Sequence, residues 1–194
     1  LGDVYKRQVA DKGVDADAVT IDIEGAKDAA GNLQVDHTAT VGLEVDTLNP
    51  TATYSSEIKN QNTNGAADVA SDADSVVAYT VTFSEPVAGI QASDIDVAGG
   101  ALVANTLRLI EGGSKATFDV QASDNSVADL VVKVKDTVKD LNGNKLVESS
   151  SAPVAVDTRN PSTLVDEPFV SFDLIADADD GSTLTVSFTF DEDM

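Results

Sequence analysis

The sequence predicts an all-β chain of two-sheet sandwich modules in tandem, and three observations carry that expectation. Several short stretches alternate apolar and polar residues at a period of two, the mark of a strand with one buried face. Turn residues separate these stretches, and no stretch keeps a helical period. The chain also repeats itself: Val45-Asp46-Thr47-Leu48-Asn49-Pro50 returns as Val156-Asp157-Thr158-Arg159-Asn160-Pro161, with Asp46 and Asp157 111 residues apart.

The match extends in both directions from that stretch. Lys27-Asp28 with Gly31-Asn32 recurs as Lys139-Asp140 with Gly143-Asn144, and Val81-Thr82-Phe83-Ser84-Glu85 as Phe188-Thr189-Phe190-Asp191-Glu192. A period this long excludes solenoids built from short units. It fits a self-contained immunoglobulin-like sandwich with Greek-key connections, a domain of about 100 residues. Residues 9–46 then read as the last two strands of one module. Residues 47–157 read as a complete module, and residues 158–194 as the opening strands of a third. Leu1 to Gln8 match nothing in the repeat and are set apart as a leader foreign to it. Proline holds the asparagine before it extended, so each boundary is expected to be a short, stiff connector.

Taken in order, Val19, Ile21 and Ile23 alternate with Thr20, Asp22 and Glu24 as a half-buried strand, matched later by Leu130, Val132 and Val134. An Asp-x-x-Gly-Asn turn follows each, and then a last strand ending at Val45 or at Val156. The complete module opens with a strand over Thr51 to Ser55 and a polar connector over Ser56 to Ser75. Val77, Tyr79, Val81 and Phe83 form the strongest strand, with Ala78, Thr80 and Thr82 outward. Pro86 stops it, since proline cannot donate to a ladder. Ile95 and Val97 predict a short strand, and Gly99-Gly100 a turn. Leu102-Val103 and Leu107 to Ile110 predict two more strands. Glu111-Gly112-Gly113-Ser114 is a hairpin turn by composition, leading into Ala116, Phe118 and Val120 on one face. In the last segment Leu184, Val186, Phe188 and Phe190 alternate over Thr183, Thr185, Ser187 and Thr189.

Composition narrows the function. The 34 acidic and 12 basic residues give a formal net charge of −22. Such a surface repels nucleic acid and anionic membranes and suits a soluble extracellular polymer, or one that collects divalent cations. There is no cysteine, hence no disulfide framework. No apolar run approaches the roughly 20 residues of a membrane span.

The stretches VTFSEPVAGIQASDIDVAGG (81–100), KDLNGN (139–144) and VAVDTRNP (154–161) resemble the bacterial immunoglobulin-like repeats of giant secreted or surface adhesins and biofilm-associated proteins. The likeness covers residues 9–194. It implies a spacer domain on the bacterial surface whose partners are its neighbouring modules, often with calcium at the junctions. The chain departs from that pattern by lacking Thr-Thr-Ala-Pro after the boundary aspartate, and by carrying Asp191 where the previous copy has Ser84.

Strand polarity gives the calcium expectation its own footing. If the first strand leaves one pole at Pro50, the second returns to it and places Glu85 there. The turn Asp140 to Asn144 joins the last two strands at the same pole, and Asp46 lies just ahead of the first. Asp46, Glu85, Asp140, Asn142 and Asn144 are therefore the candidate ligands. Calcium takes 6–8 oxygens from carboxylates, amides, carbonyls and water. The connector Asp11 to Asp17 faces this linker from the preceding module. At the second junction the equivalents are Asp157, Asp191 and Glu192, facing Asp124 and Asp129. Asp72-Ala73-Asp74 and Asp177 to Gly181 are weaker candidates, and neither has EF-hand spacing. Each acid taken singly also reads as a solvated loop residue, and Asp followed by Gly-Asn as a turn that needs no metal.

Enzymatic constellations are scarce. His37 is the only histidine and reads as a surface residue on a strand. No glycine-rich phosphate loop runs from a strand into a helix. With no tryptophan and only three tyrosines, of which Tyr54 alone is a candidate, a flat sugar-binding platform is poorly provided for. The sequence thus reads as a non-catalytic extender of a long adhesin. The alternative is an adhesion module that contacts a glycan or a host or surface protein through loops such as Gly99 to Asn105.

Overall fold

The computed structural model describes residues 13–16, 19–35, 37–59, 68–164, 169–170, 181 and 186–191. The protein is all-β. Four strands precede the first boundary: β1 (Asp15–Ala16), β2 (Val19–Ile23), β3 (His37–Val41) and β4 (Val45–Asp46). Ten follow it: β5 (Ala52–Ile58), β6 (Val69–Ser71), β7 (Val76–Phe83), β8 (Ile95–Ala98), β9 (Gly100–Leu102), β10 (Arg108–Ile110), β11 (Lys115–Ala122), β12 (Val131–Val134), β13 (Ser149–Ser150) and β14 (Ala155–Asp157). Beyond the second boundary β15 (Phe169–Val170) pairs antiparallel with β16 (Val186–Ser187).

In the central unit one sheet runs β10-β11-β7-β5, with β9 also on β11, and a second runs β13-β12-β8. β14 and β6 form a separate parallel pair. β7 alternates strictly between buried and half-buried residues, and β11 between buried residues and half-buried or exposed ones, as a strand must when one face meets a core and the other meets water. Val77, Tyr79, Val81 and Phe83 from β7, Ala116, Phe118 and Val120 from β11, and Val132 and Val134 from β12 bury their side chains in one cluster with Leu130, Val138 and Leu146. At its centre Tyr79 and Phe118 stack with ring centroids 5.8 Å apart and planes 11° off parallel. Burying a large apolar side chain of this kind contributes about 1.5–3 kcal/mol. The Tyr54 hydroxyl links the two sheets: it donates to the Ser149 carbonyl at 2.6 Å and accepts from the Val134 nitrogen at 3.3 Å. Tyr54 is thus a structural cross-tie rather than a free aromatic platform.

Several elements differ from the sequence expectation. The opening strand runs on to Ile58, because Ser56 and Glu57 prolong the ladder to Tyr79 and Ala78 while Ile58 packs against the core. β6 interrupts the expected connector, its Ala70 being fully buried beside Val156. Gly100 belongs to a strand, and Gly99 alone makes the turn. At φ +76°, with a Cβ there meeting the Asp129 carbonyl oxygen at 2.2 Å, that position admits only glycine. Among the described residues, those before the first boundary form four strands, where two were expected. The face of β2 expected to be half-buried leaves Ile21 48% and Ile23 50% exposed, since among the described residues only β3 pairs with β2 and no sheet covers it. Leu184 lies outside the described residues, and Phe188 is 55% exposed.

Hydrogen bonds recur at the spacing of the sequence repeat. Asp28 accepts the Asn32 main-chain and side-chain nitrogens at 2.9 and 2.8 Å, and Asp140 accepts those of Asn144 at 2.8 and 2.8 Å. The Thr47 nitrogen donates to the Val14 carbonyl, as the Thr158 nitrogen does to that of Ser126. In both cases the threonine hydroxyl accepts the N–H in return.

Candidate metal centre

β5 and β7 are antiparallel and start from opposite poles, so the end of β7 returns to the start of β5. Ser84 closes that corner: its hydroxyl accepts the Thr51 nitrogen at 2.9 Å, and its own nitrogen donates to the Thr51 carbonyl. Glu85 follows directly. Val87 bridges to Asp140, which brings the turn between Val138 and Leu146 to the same pole. The chain enters there through buried Pro50, whose carbonyl accepts the Val147 nitrogen at 2.9 Å.

Each carboxylate has a different environment. Asp140 is buried, 3% exposed. Its Oδ1 accepts the main-chain N–H groups of Asn142, Gly143 and Asn144 at 2.8, 2.6 and 2.8 Å, and its Oδ2 accepts Asn144 Nδ2. Burial pushes its pKa up, but the Asn144 side chain and the three main-chain donors outweigh burial and hold it below 3.8. Gly143, at φ +97°, supplies the left-handed residue this turn requires. Asp46, at the end of β4, is half-buried; its Oδ1 accepts the Leu48 nitrogen and its Oδ2 the Asn142 Nδ2. The Asn144 amide also reaches the Asp46 carbonyl at 3.3 Å.

Glu85 receives nothing comparable. Among the described residues its buried Oε1 has no hydrogen-bond partner, a state that costs free energy for any polar atom and more for a charged one. Burial first, then the charges of Asp140, Asp46 and Asp15, hold its carboxyl above the ordinary value of 4.5. Asp15 approaches from the other side of the boundary, paired with Asp46 across β1 and β4.

One oxygen from each of Asp46, Glu85 and Asp140 lies within 4.8 Å of the others. Among the described residues the ion pairs formed by Lys59, Lys115, Lys133, Lys135 and Lys145 all go to other acids. Three carboxylates in one place, one with an unpartnered buried oxygen, are a hard-oxygen donor set of the kind divalent calcium takes. The cluster could hold a metal ion.

No protein-family model, no curated protein and no solved structure matches the chain. What the site can do therefore rests on its own geometry.

The other expected ligands are placed differently. Asn142 and Asn144 reach the centre, but they present Nδ2 donors to Asp46 and Asp140; each amide would have to turn over to offer its oxygen. At the second boundary Asp157 is exposed, and its Oδ1 accepts the Arg159 nitrogen at 3.3 Å. Asp191 spends both oxygens on Ser162, accepting its nitrogen at 2.8 Å and its hydroxyl at 2.9 Å. Those Ser162 bonds, with the charge of Arg159, hold Asp191 below 3.8. Glu192 lies outside the described residues, as do Asp11, Asp17 and the loop over Asp177 to Asp180. Asp124 and Asp129 are exposed, Asp74 is buried, and His37 is exposed at the start of β3. The sequence reading missed Thr158. Its hydroxyl, in a residue 2% exposed, donates to the Ser123 carbonyl at 2.7 Å and accepts the Ser126 nitrogen at 3.0 Å. The signal was present in the Thr that follows Asp in both boundary copies.

Proposed function

We propose that the chain is a non-catalytic extender segment of a long bacterial surface or secreted adhesin, built of immunoglobulin-like modules of about 111 residues. Residues 47–157 make the complete module, with a partial one on each side. Calcium held by Asp46, Glu85 and Asp140 stiffens the first junction. The observation that carries this reading is the buried, unpartnered Glu85 Oε1 beside two further carboxylates, one of which, Asp46, belongs to the boundary itself. The hydrogen bonds that recur at the spacing of the repeat support the modular part.

Without a cation, like charges at the boundary oppose close approach of its two sides. A bound cation reverses that sign and ties the boundary to the corner at Glu85 and the turn at Asp140. Calorimetric titration of the chain with calcium tests this. The expected result is saturable binding in the range of extracellular modules, a Kd of about 10⁻⁴–10⁻³ M, lost in Glu85→Gln. Absence of binding, or unchanged binding in Glu85→Gln, contradicts it.

A further inference from the structure

We infer that Asn142 is a site of spontaneous deamidation, at which the chain converts one of its own amides into a carboxylate beside Asp46. The reaction starts when the main-chain nitrogen of the next residue attacks the asparagine Cγ. Any side chain on that next residue obstructs the attack, and proline, lacking an N–H, prevents it. Among the described residues Asn32, Asn105, Asn125 and Asn144 are followed by Leu33, Thr106, Ser126 and Lys145, and Asn49 and Asn160 by prolines. Only Asn142 precedes a glycine there; the other Asn-Gly step, Asn64-Gly65, lies outside them.

The structure adds two observations to the dipeptide. Asn142 and Gly143 are both exposed. Gly143 sits at φ +97°, and apart from its chain neighbours nothing lies within 4 Å of where a Cβ would be, so the turn is open on that side. Against these stands one bond: the Gly143 N–H donates to Asp140 Oδ1 at 2.6 Å and must be released before the nitrogen attacks.

The step balances without an oxidant or reductant. The Gly143 nitrogen gives up its proton to hydroxide and forms a bond to Asn142 Cγ. The bond from Cγ to Nδ2 breaks, and that nitrogen leaves as ammonia with a proton from water. Water then opens the cyclic imide at either carbonyl, giving aspartate or, with the main chain rerouted through the side chain, isoaspartate. Either product exchanges the Nδ2 donor now facing Asp46 for a negative charge. The equivalent turn of the earlier copy has the same Asp and Asn bonds but Ala30 before its glycine, and cannot react.

The test is incubation of the folded full chain at mildly alkaline pH in chelator, followed by peptide mapping and isoaspartyl methyltransferase labelling. The expected result is exchange of amide for acid at Asn142, with Asn32, Asn105, Asn125 and Asn144 intact, and loss of the label from that peptide in Asn142→Gln. Retention of the Asn142 amide in the folded chain, while the urea-unfolded chain loses it under the same conditions, overturns the proposal and shows that the turn protects the residue. Retention in both states overturns it as well.

Discussion

Asp191 holds the main-chain nitrogen of Ser162 at 2.8 Å just as Ser84 holds that of Thr51 at 2.9 Å. In both corners the held residue returns its carbonyl to the nitrogen of the residue that holds it. A carboxylate and a hydroxyl both accept from an N–H, so the corner survives the exchange. The carboxylate has a second oxygen, which takes the Ser162 hydroxyl. With Asp191 in the place of Ser84 the corner thus stays closed, and an acid is spent on a structural bond.

Asp140→Ala removes the acceptor of four hydrogen bonds from a buried position. Bonds to a charged group contribute about 1.5–3 kcal/mol each but overlap here, so a loss of about 3 kcal/mol is expected. Asp28→Ala breaks the equivalent bonds in an exposed turn and should cost less. Urea unfolding of both variants, read through their midpoints, checks the ranking.

Tyr54→Phe deletes the hydroxyl shared by the Ser149 carbonyl and the Val134 nitrogen while keeping the ring. The expected loss is about 1–2 kcal/mol, from leaving those half-buried groups short of a partner. Thermal unfolding should report it without a change in far-ultraviolet circular dichroism, because both ladders remain paired.

Thr158→Val should lower stability by about 1–2 kcal/mol, since the Ser123 carbonyl and the Ser126 nitrogen lose their shared hydroxyl within a buried site. Hydrogen exchange at Ser126 should quicken in the variant and stay unchanged in the core strand β11.

The pH dependence in chelator has two opposed parts. Glu85 has its folded pKa raised above 4.5, so the folded state binds this proton more tightly than the unfolded chain. That contribution is present below 4.5 and is lost as pH rises through the folded value. Asp140 has its folded pKa lowered below 3.8, so its contribution is present above 3.8 and is lost as pH falls through the folded value. Glu85→Gln should therefore melt higher than the parent at neutral pH and equal it below pH 4.5. A parent that melts higher than Glu85→Gln at neutral pH in chelator contradicts this assignment.

The strands of the central core were legible because β7 and β11 alternate strictly and their apolar positions are Val, Tyr, Phe and Ala. The joining of Asp46, Glu85 and Asp140 followed from strand polarity alone: two antiparallel strands return to one pole. Ser149–Ser150 and Val69–Ser71 were not legible, being two and three residues long and defined by their partners' registers rather than by a pattern of their own. The Asn142 and Asn144 amides carry a donor and an acceptor alike, so sequence could bring them to the cluster without showing which end faces it. At the second boundary the sequence reading grouped Asp157 with Asp191; the competing need to close the Ser162 corner had no signature beyond the loss of Ser84.

Small-angle scattering of the chain, recorded alongside its melting temperature in chelator and in millimolar calcium, tests the stiffened junction most directly. At tenfold excess over Kd one site stabilises the folded state by about 1.4 kcal/mol. Calcium should therefore raise the melting temperature and lengthen the particle's maximum dimension, and Asp46→Ala should abolish the lengthening while leaving the central unit folded. If neither the melting temperature nor the scattering profile responds to calcium, Asp46, Glu85 and Asp140 are a solvated acidic corner and the junction is not calcium-stiffened.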